Sequence, residues 1–295
     1  MDPTLKIKII VSLKEQMKSL SPQMRTAAKY VIDHPTDFGL DSIRDTARKT
    51  GVSTYVFVQL SKTMGFTGYR EMRQPFRNAL VDSPSIQEHS ERFEDQMGQG
   101  KDGRIYADAA RNALSIVTRS LERQQLEELV NIADMLISAR SVYLTAVRSS
   151  YAVAYYFHYV GRMALPSLQL IPRHMNSAID DLNDAQTGDV LIAITVTPYS
   201  IETIKACEFA RKRGVKLLLI SDSEIVFPHL DPDHTLVSSV LSTHNFGCFS
   251  GMMAAIEVLL SILMDRGGDA AQARIRTYEK LRIENNAYWV APKKH

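Results

Sequence analysis

Cysteine is scarce: the 295 residues include two, Cys207 and Cys248, and one tryptophan. Both thiols fall in apolar helical patterns, so they read as core thiols, and a small disulfide-stapled scaffold is excluded. No apolar run approaches the ~20 residues that cross a bilayer, so no membrane partner is expected. The opening MDPTLKIKIIVSLKEQM lacks an apolar core followed by a small-residue cleavage site. No export signal is therefore expected, and the chain is expected to be cytoplasmic. No His, Cys, Asp and Glu share metal-ligand spacing, so neither a metal nor another cofactor is expected. A Gly-x-Ser-x-Gly elbow and a P-loop are also missing. A dominant charge is lacking too, because 35 Lys and Arg offset 33 Asp and Glu for a net of +2. What is present is an ordinary globular composition, 45% apolar and 23% charged, with room for two domains.

The near-zero total hides an asymmetry. Residues 1–80 carry 13 Lys and Arg against 7 Asp and Glu, a net of +6, and the remainder a net of −4. Within the basic part, Ser42 to Phe66 reads SIRDTARKTGVSTYVFVQLSKTMGF, two short helices joined by a Gly-Val-Ser turn. Ser42 can cap the first helix, with Asp45 three residues on. Ile43, Thr46 and Ala47 supply its inner face. Gly51 can end it by taking the left-handed conformation, and Val52 plugs the turn. Ser53 caps a second helix whose Val56, Leu60 and Met64 recur at helical spacing. Outside that stripe lie Thr54, Tyr55, Gln59, Lys62 and Thr63, all able to hydrogen-bond bases or phosphates. A second helix of this kind fits the major groove with its N-terminal residues on base edges. An ordinary helical hairpin with a solvated face would share the pattern. Charge separates the two readings, since Arg44, Arg48, Lys49, Lys62, Arg70, Arg73 and Arg77 surround the motif as phosphate contacts require. Double-stranded DNA is the expected partner.

Leu5, Ile9, Leu13 and Met17 suit a packing helix at the start of the chain. Ser21 and Pro22 open another, with Met24, Ala27, Ala28, Val31 and Ile32 as its buried stripe, and His34-Pro35 stops it. Tyr69 to Leu80 continue as a basic helix. Residues 81–104 hold few apolar side chains and read as a linker. Residues 105–139 are helical again. From Ser141 the period changes: SVYLTAV, SLQLI, VLIAITV, VKLLLIS and TLVSSV are β-branched runs separated by helical stretches at 150–164, 200–213 and 247–264. Such alternation predicts a parallel sheet with helices on both faces.

In open parallel sheets, ligands bind beyond the carboxyl ends of the strands, where helix N-termini present free N–H groups. Two loops there are rich in hydroxyls: Ala146-Val147-Arg148-Ser149-Ser150, and Thr195-Val196-Thr197-Pro198-Tyr199-Ser200. Their hydroxyls suit phosphate oxygens, and Arg148 adds a charge-assisted donor. The same residue types are also standard helix caps.

The order of parts resembles the RpiR-type transcriptional regulators, an N-terminal helix-turn-helix followed by a linker and a SIS (sugar isomerase) domain. LSPQMRTAAKYVIDHP resembles the family's first helix, and SIRDTARKTGVSTYVFVQLSKTMGFTGYREMRQPFR its motif helices. GDVLIAITVTPYSIETIKACEFARKRGVKLLLISDS resembles the central SIS unit. The resemblance implies an all-helical head over 1–80, a linker over 81–104, a parallel-sheet α/β/α sandwich over 105–265 and a helical tail over 266–295. It implies Ser53, Thr54, Tyr55, Gln59, Lys62, Arg70 and Arg73 as DNA contacts. It implies Arg148, Ser149, Ser150, Thr195, Thr197, Ser200 and His244 around a phosphosugar or related small anion. Three departures stand out. The family's recognition helix usually carries Thr at the place of Val56 and Arg at that of Gln59, and Gln favours adenine edges where Arg favours guanine. Its first loop usually reads Gly-x-Gly-x-Ser, where Ala146 and Arg148 replace the glycines. Its second reads Ser-x-Ser-Gly-x-Thr, where Pro198-Tyr199 replaces the glycine and its neighbour.

SIS domains also occur in sugar-phosphate isomerases, in which a carboxylate or His moves a proton. Glu257, His244, Glu202 and His158 are the available groups, and each has a plainer reading as an interface, loop, capping or core residue. The expectation is a ligand-responsive, non-catalytic DNA-binding regulator acting as a homodimer or higher homo-oligomer. An isomerase with a helical accessory domain is the alternative, and a scaffold whose site is closed by Arg148 is a third reading.

Overall fold

A computed structural model describes residues 5–81, 100–174, 176–227, 230–241 and 246–289. The chain divides into two compact units, Met1–Ser115 and Ile116–His295, with the division falling inside one long helix. Most of the expected linker, residues 82–99, lies outside the described residues, and residues 100–104 already belong to that helix.

The first unit begins with six helices: α1 (Leu5–Gln16), α2 (Pro22–Asp33), α3 (Pro35–Leu40), α4 (Ile43–Thr50), α5 (Thr54–Thr63) and α6 (Tyr69–Val81). Ser21 caps α2, accepting the Met24 N–H at 3.4 Å. His34-Pro35 does stop this helix, but it also starts another. Proline at the first helical position has no N–H to leave unpaired, so α3 follows at once. The head's core is aromatic. Phe38 meets Tyr69 and Phe76 edge-on with ring centroids 5.2 and 5.0 Å apart, an arrangement favoured by the ring quadrupoles. Gly39 permits this approach, since a Cβ there would lie 3.0 Å from the Phe76 backbone.

The second unit is built on a five-stranded sheet. Helices α7 (Gly100–Glu122) and α8 (Leu126–Ser138) precede β1 (Val142–Ala146), α9 (Ser150–Gly161), β2 (Leu168–Ile171), α10 (Ala178–Asp181) and β3 (Val190–Ile194). Then follow α11 (Ile201–Lys212), β4 (Lys216–Ser221), β5 (His234–Val237), α12 (Ser250–Arg266) and α13 (Gly268–Glu284). The strand order is β2-β1-β3-β4-β5, and every pairing is parallel. All five apolar runs read from the sequence are strands. Alternate residues face opposite layers. Val142, Leu144, Val190, Ile192 and Leu218 pack with α8, α9 and α12. Tyr143, Leu191, Ala193, Leu217 and Leu219 pack with α11. The result is the three-layer sandwich that a buried parallel sheet requires.

Register between the first and third strands is pinned at their amino ends. Arg140 grips Asp189 with both prongs of its guanidinium, at 2.9 and 2.6 Å, and Asp189 is fully buried. Such bidentate pairs combine charge with fixed geometry.

Both cysteines are free thiols, Cys207 buried and Cys248 half-buried. Burial pushes the Cys207 thiol up to about 12, so it is expected to be inert to a thiol reagent at pH 8. Titration of native protein with a chromogenic disulfide should label Cys248 alone, and Cys207 should react only after denaturation. At the start of α12, a Cβ on Gly251 would lie 2.2 Å from Ser120 Oγ and 2.7 Å from the Ile116 carbonyl oxygen. Gly251→Ala is therefore expected to cost about 1–3 kcal/mol in a denaturant melt, the usual scale of overpacking.

Candidate functional sites

The turn between α4 and α5 forms as the residue types dictate. Ser42 accepts the Asp45 N–H at 3.2 Å and donates its hydroxyl to the Asp45 carboxylate at 2.6 Å. That hydrogen bond, and then Arg48, hold the Asp45 carboxyl below its ordinary value. Gly51 ends α4 with φ 70°, the left-handed region. Thr46 is buried and shares a 2.8 Å hydrogen bond with the Tyr69 hydroxyl, fixing α4 against α6. Val56, Phe57, Leu60 and Ser61 face inward from α5, and Met64 is half-buried at its end.

The outward face of α5 carries Thr54, Tyr55, Lys62 and Thr63, all exposed, with Gln59 half-buried at its edge. Tyr55 is 67% exposed. Ser53 occupies the cap position with extended backbone, yet its side chain makes no cap hydrogen bond, which corrects its expected capping role. Arg44, Arg70 and Arg77 are exposed nearby. Three members of the expected basic patch are engaged within the head, Arg48 with Asp45 at 2.8 Å and two others. Lys49 pairs with Asp41 at 2.8 Å, and half-buried Arg73 donates Nε–H to the Gly39 carbonyl at 3.0 Å.

In the second unit β1 leads to β2 on one side and β3 leads to β4 on the other, so the topological switch point, where ligand crevices form, lies between β1 and β3. Beside it, a cavity of about 640 Å³ opens beyond β1 and β2, lined by Arg148 and Tyr151, by Pro172, Arg173 and His174, and by Ala146 and Val147. Arg148 stands at φ 55°, a left-handed backbone that normally selects glycine. Its guanidinium is mostly exposed and reaches Glu202 at 3.8 Å. Ser149 precedes α9 without a side-chain cap bond, and Ser150 begins that helix and is buried.

The second hydroxyl loop is largely self-satisfied. Ser200 caps α11, accepting the Thr203 N–H at 3.5 Å, and it donates to Glu202 at 2.5 Å. Thr195 Oγ1 accepts the Ser200 N–H at 3.2 Å. The Thr197 N–H donates to both oxygens of Asp222, at 3.2 and 3.3 Å. Thr195, Ser200 and Asp222 are buried. The Thr195 and Ser200 hydroxyls thus serve the loop itself, as capping chemistry allows, while Thr197 is exposed. His244 lies outside the described residues. Arg173, His174 and Asp222 were not anticipated, although the basic segment IPRH directly after the strand SLQLI marked the first two.

The groups considered for proton transfer are spread apart in role. Tyr156 donates its hydroxyl to Glu257 at 3.1 Å on an exposed surface. Burial, then Arg162, hold His158 below its ordinary value. The Ser200 hydrogen bond does the same for Glu202, so that bond is present above the lowered midpoint and is lost as pH falls through it. Among the described residues, no cluster of three His, Cys, Asp or Glu could hold a metal ion, and no helix is long and apolar enough to cross a membrane.

Residues 135–264 match the SIS domain. The bifunctional protein glk of Paraburkholderia xenovorans is 24% identical over 72% of this chain but only 32% of its own length. The chain thus spans about a third of the first curated relatives it matches. An uncharacterized HTH-type transcriptional regulator of Providencia stuartii is 23% identical over 66% of this chain and 67% of that protein. Among solved structures, the NanR protein of Vibrio vulnificus complexed with ManNAc-6P shares the fold at TM-score 0.55 and 19% identity, over 94% of this chain and 98% of its own. The sugar isomerase domain of an RpiR transcription factor from Sphaerobacter thermophilus does so at TM-score 0.55 and 21% identity, over 58% and 96%.

Ser200→Ala should let the Glu202 carboxyl titrate closer to the ~4.3 of a free glutamate. Carbon-detected NMR of the side chain reads this directly, and an unmoved midpoint would show that the hydroxyl is not its anchor.

Proposed function

We propose that this chain is a DNA-binding transcriptional regulator controlled by a small anionic metabolite, a reading supported by the SIS match at residues 135–264 and by the short helices α4 and α5 joined by a tight turn ahead of it. The observation that carries the reading is the solvent-facing side of α5. Thr54, Tyr55 and Lys62 project there with Gln59 beside them, while the opposite side of the helix is buried. Beside that face stand exposed Arg44, Arg70 and Arg77, the cations that phosphate contacts require.

In this reading Gln59 reads a base edge, Ser53, Thr54 and Tyr55 contact bases or phosphates at the helix start, and Lys62 and Arg70 neutralise phosphates. Arg73 contributes mainly by holding α6 to the Gly39 carbonyl. The effector occupies the crevice at the strand tips, and its binding changes the relative stability of DNA-competent and incompetent states. A homodimer presents two heads to two half-sites. The family's alternative, sugar-phosphate isomerisation, needs an acid or base at the ligand. Of the carboxylates considered, Glu202 is bonded to Ser200 and faces Arg148, and Glu257 is bonded to Tyr156.

Replacing Gln59 and Lys62 together by Ala should weaken specific operator binding by about 100-fold or more, given ~1–3 kcal/mol for a good base contact. It should also lower the salt slope by about one phosphate contact. Both side chains lie outside the head's core, so the thermal melt should hardly move. Fluorescence anisotropy with operator DNA gives both numbers, and unchanged affinity would rule out α5 as the reading helix.

A further inference from the structure

The crevice has two halves with opposite character. On the β3 side, the groups that would cradle a phosphate are already taken by two protein carboxylates, Glu202 on the Ser200 hydroxyl and Asp222 on the Thr197 N–H. A phosphate placed there would have to displace or face both, and like charges at short range oppose its ionised form. On the β1–β2 side stand Arg148, Arg173 and His174, around the 640 Å³ cavity.

Each guanidinium already faces one carboxylate. Arg148 lies 3.8 Å from Glu202, and Arg173 Nε lies 2.9 Å from Asp181, which also accepts the Arg173 backbone N–H at 2.8 Å. A guanidinium has five N–H groups, so one such contact leaves donors for a ligand. Charge is a tighter limit than donors: two arginines set against two carboxylates leave no positive surplus. An anion near −2, such as a phosphomonoester, therefore leaves twice the uncompensated charge that a single carboxylate leaves. The cavity is also large enough for a six-carbon molecule, since small-molecule sites run from ~300 to 1,000 Å³.

We propose that the effector is a sugar acid, a polyhydroxylated monocarboxylate held by the side chains of Arg148 and Arg173, rather than a sugar phosphate held in the loop after β3. The hydroxyls of such a molecule suit the polar rim, and Arg148 supplies by side chain what a glycine-rich turn would supply by backbone. This rests on the reading of the crevice as an effector site.

The test uses the full chain and four probes: glucuronate, galacturonate, gluconate and glucose 6-phosphate. At millimolar concentrations at least one sugar acid should raise the melting temperature by several degrees, and glucose 6-phosphate should not. Arg148→Gly and Arg173→Gln should each weaken that sugar acid about 10-fold or more, as loss of a charge-assisted contact does. Arg148→Gly has opposite consequences in the two accounts: it removes the anchor of a carboxylate but opens a left-handed turn for close backbone approach of a phosphate. Tighter glucose 6-phosphate binding in that variant, or glucose 6-phosphate outcompeting every sugar acid in the wild type, would overturn the proposal. If no probe binds while specific DNA binding persists, the sugar-acid proposal fails and the regulator stands. If DNA binding is absent as well, both fail.

Discussion

Parallel pairing on both edges of β1 is the constraint from which the second unit follows. Parallel strands cannot be joined by tight hairpins, so each must be followed by a crossover, and the crossovers cover both faces of the sheet. All carboxyl ends then gather along one edge, and the crossovers diverge between β1 and β3, β1 leading outward to β2 and β3 leading the other way to β4. The crevice at that parting is a consequence of topology before any side chain is chosen. At the other end of the same strands, the buried Asp189 and its Arg140 partner set the register. One end is locked and the other is left open.

What the open end recognises depends on how its polar groups are spent. Hydroxyls and amides pointing at a crevice serve a ligand only if the protein has not already used them. Here Ser200, Thr195 and the Thr197 N–H are used, and charged side chains take over the lining. The head shows the same economy in reverse. Thr46, Tyr69 and Lys49 are spent on holding the helices together, so the groups at the outer side of α5 are the ones left for a partner. In both units function is read from what packing leaves uncommitted.

Much of the fold was legible because its signals are periodic. The five apolar runs after Ser141 became five strands, and the Gly51 turn formed with the expected left-handed glycine. Helix α3 is hidden in the sequence because Pro35 reads as a stop, although proline also starts helices. α10 is a four-residue helix, too short to show a period. The candidate site was legible in position but not in detail. Hydroxyls after a strand look alike whether they hold a ligand or cap a helix, and only Glu202 and Asp222, adjacent in space, decide between the two. The signal for Arg173, a basic IPRH directly after the strand SLQLI, is outweighed by the hydroxyl-rich loops, which mark the middle of the sheet, whereas the cavity extends toward the outer strand β2. Lys49 and Arg73 also hold the head together, a role hidden in the sequence because it gives charge without its partner.

The central claim is that the basic head reads duplex DNA through α5. Selection of the full chain against a random duplex library tests it with no operator sequence assumed. The account predicts enrichment of a two-fold-related sequence with half-sites about one helical turn, or a multiple of it, apart. Recovery of no sequence above the input library, even at low salt where phosphate contacts are strongest, would contradict it.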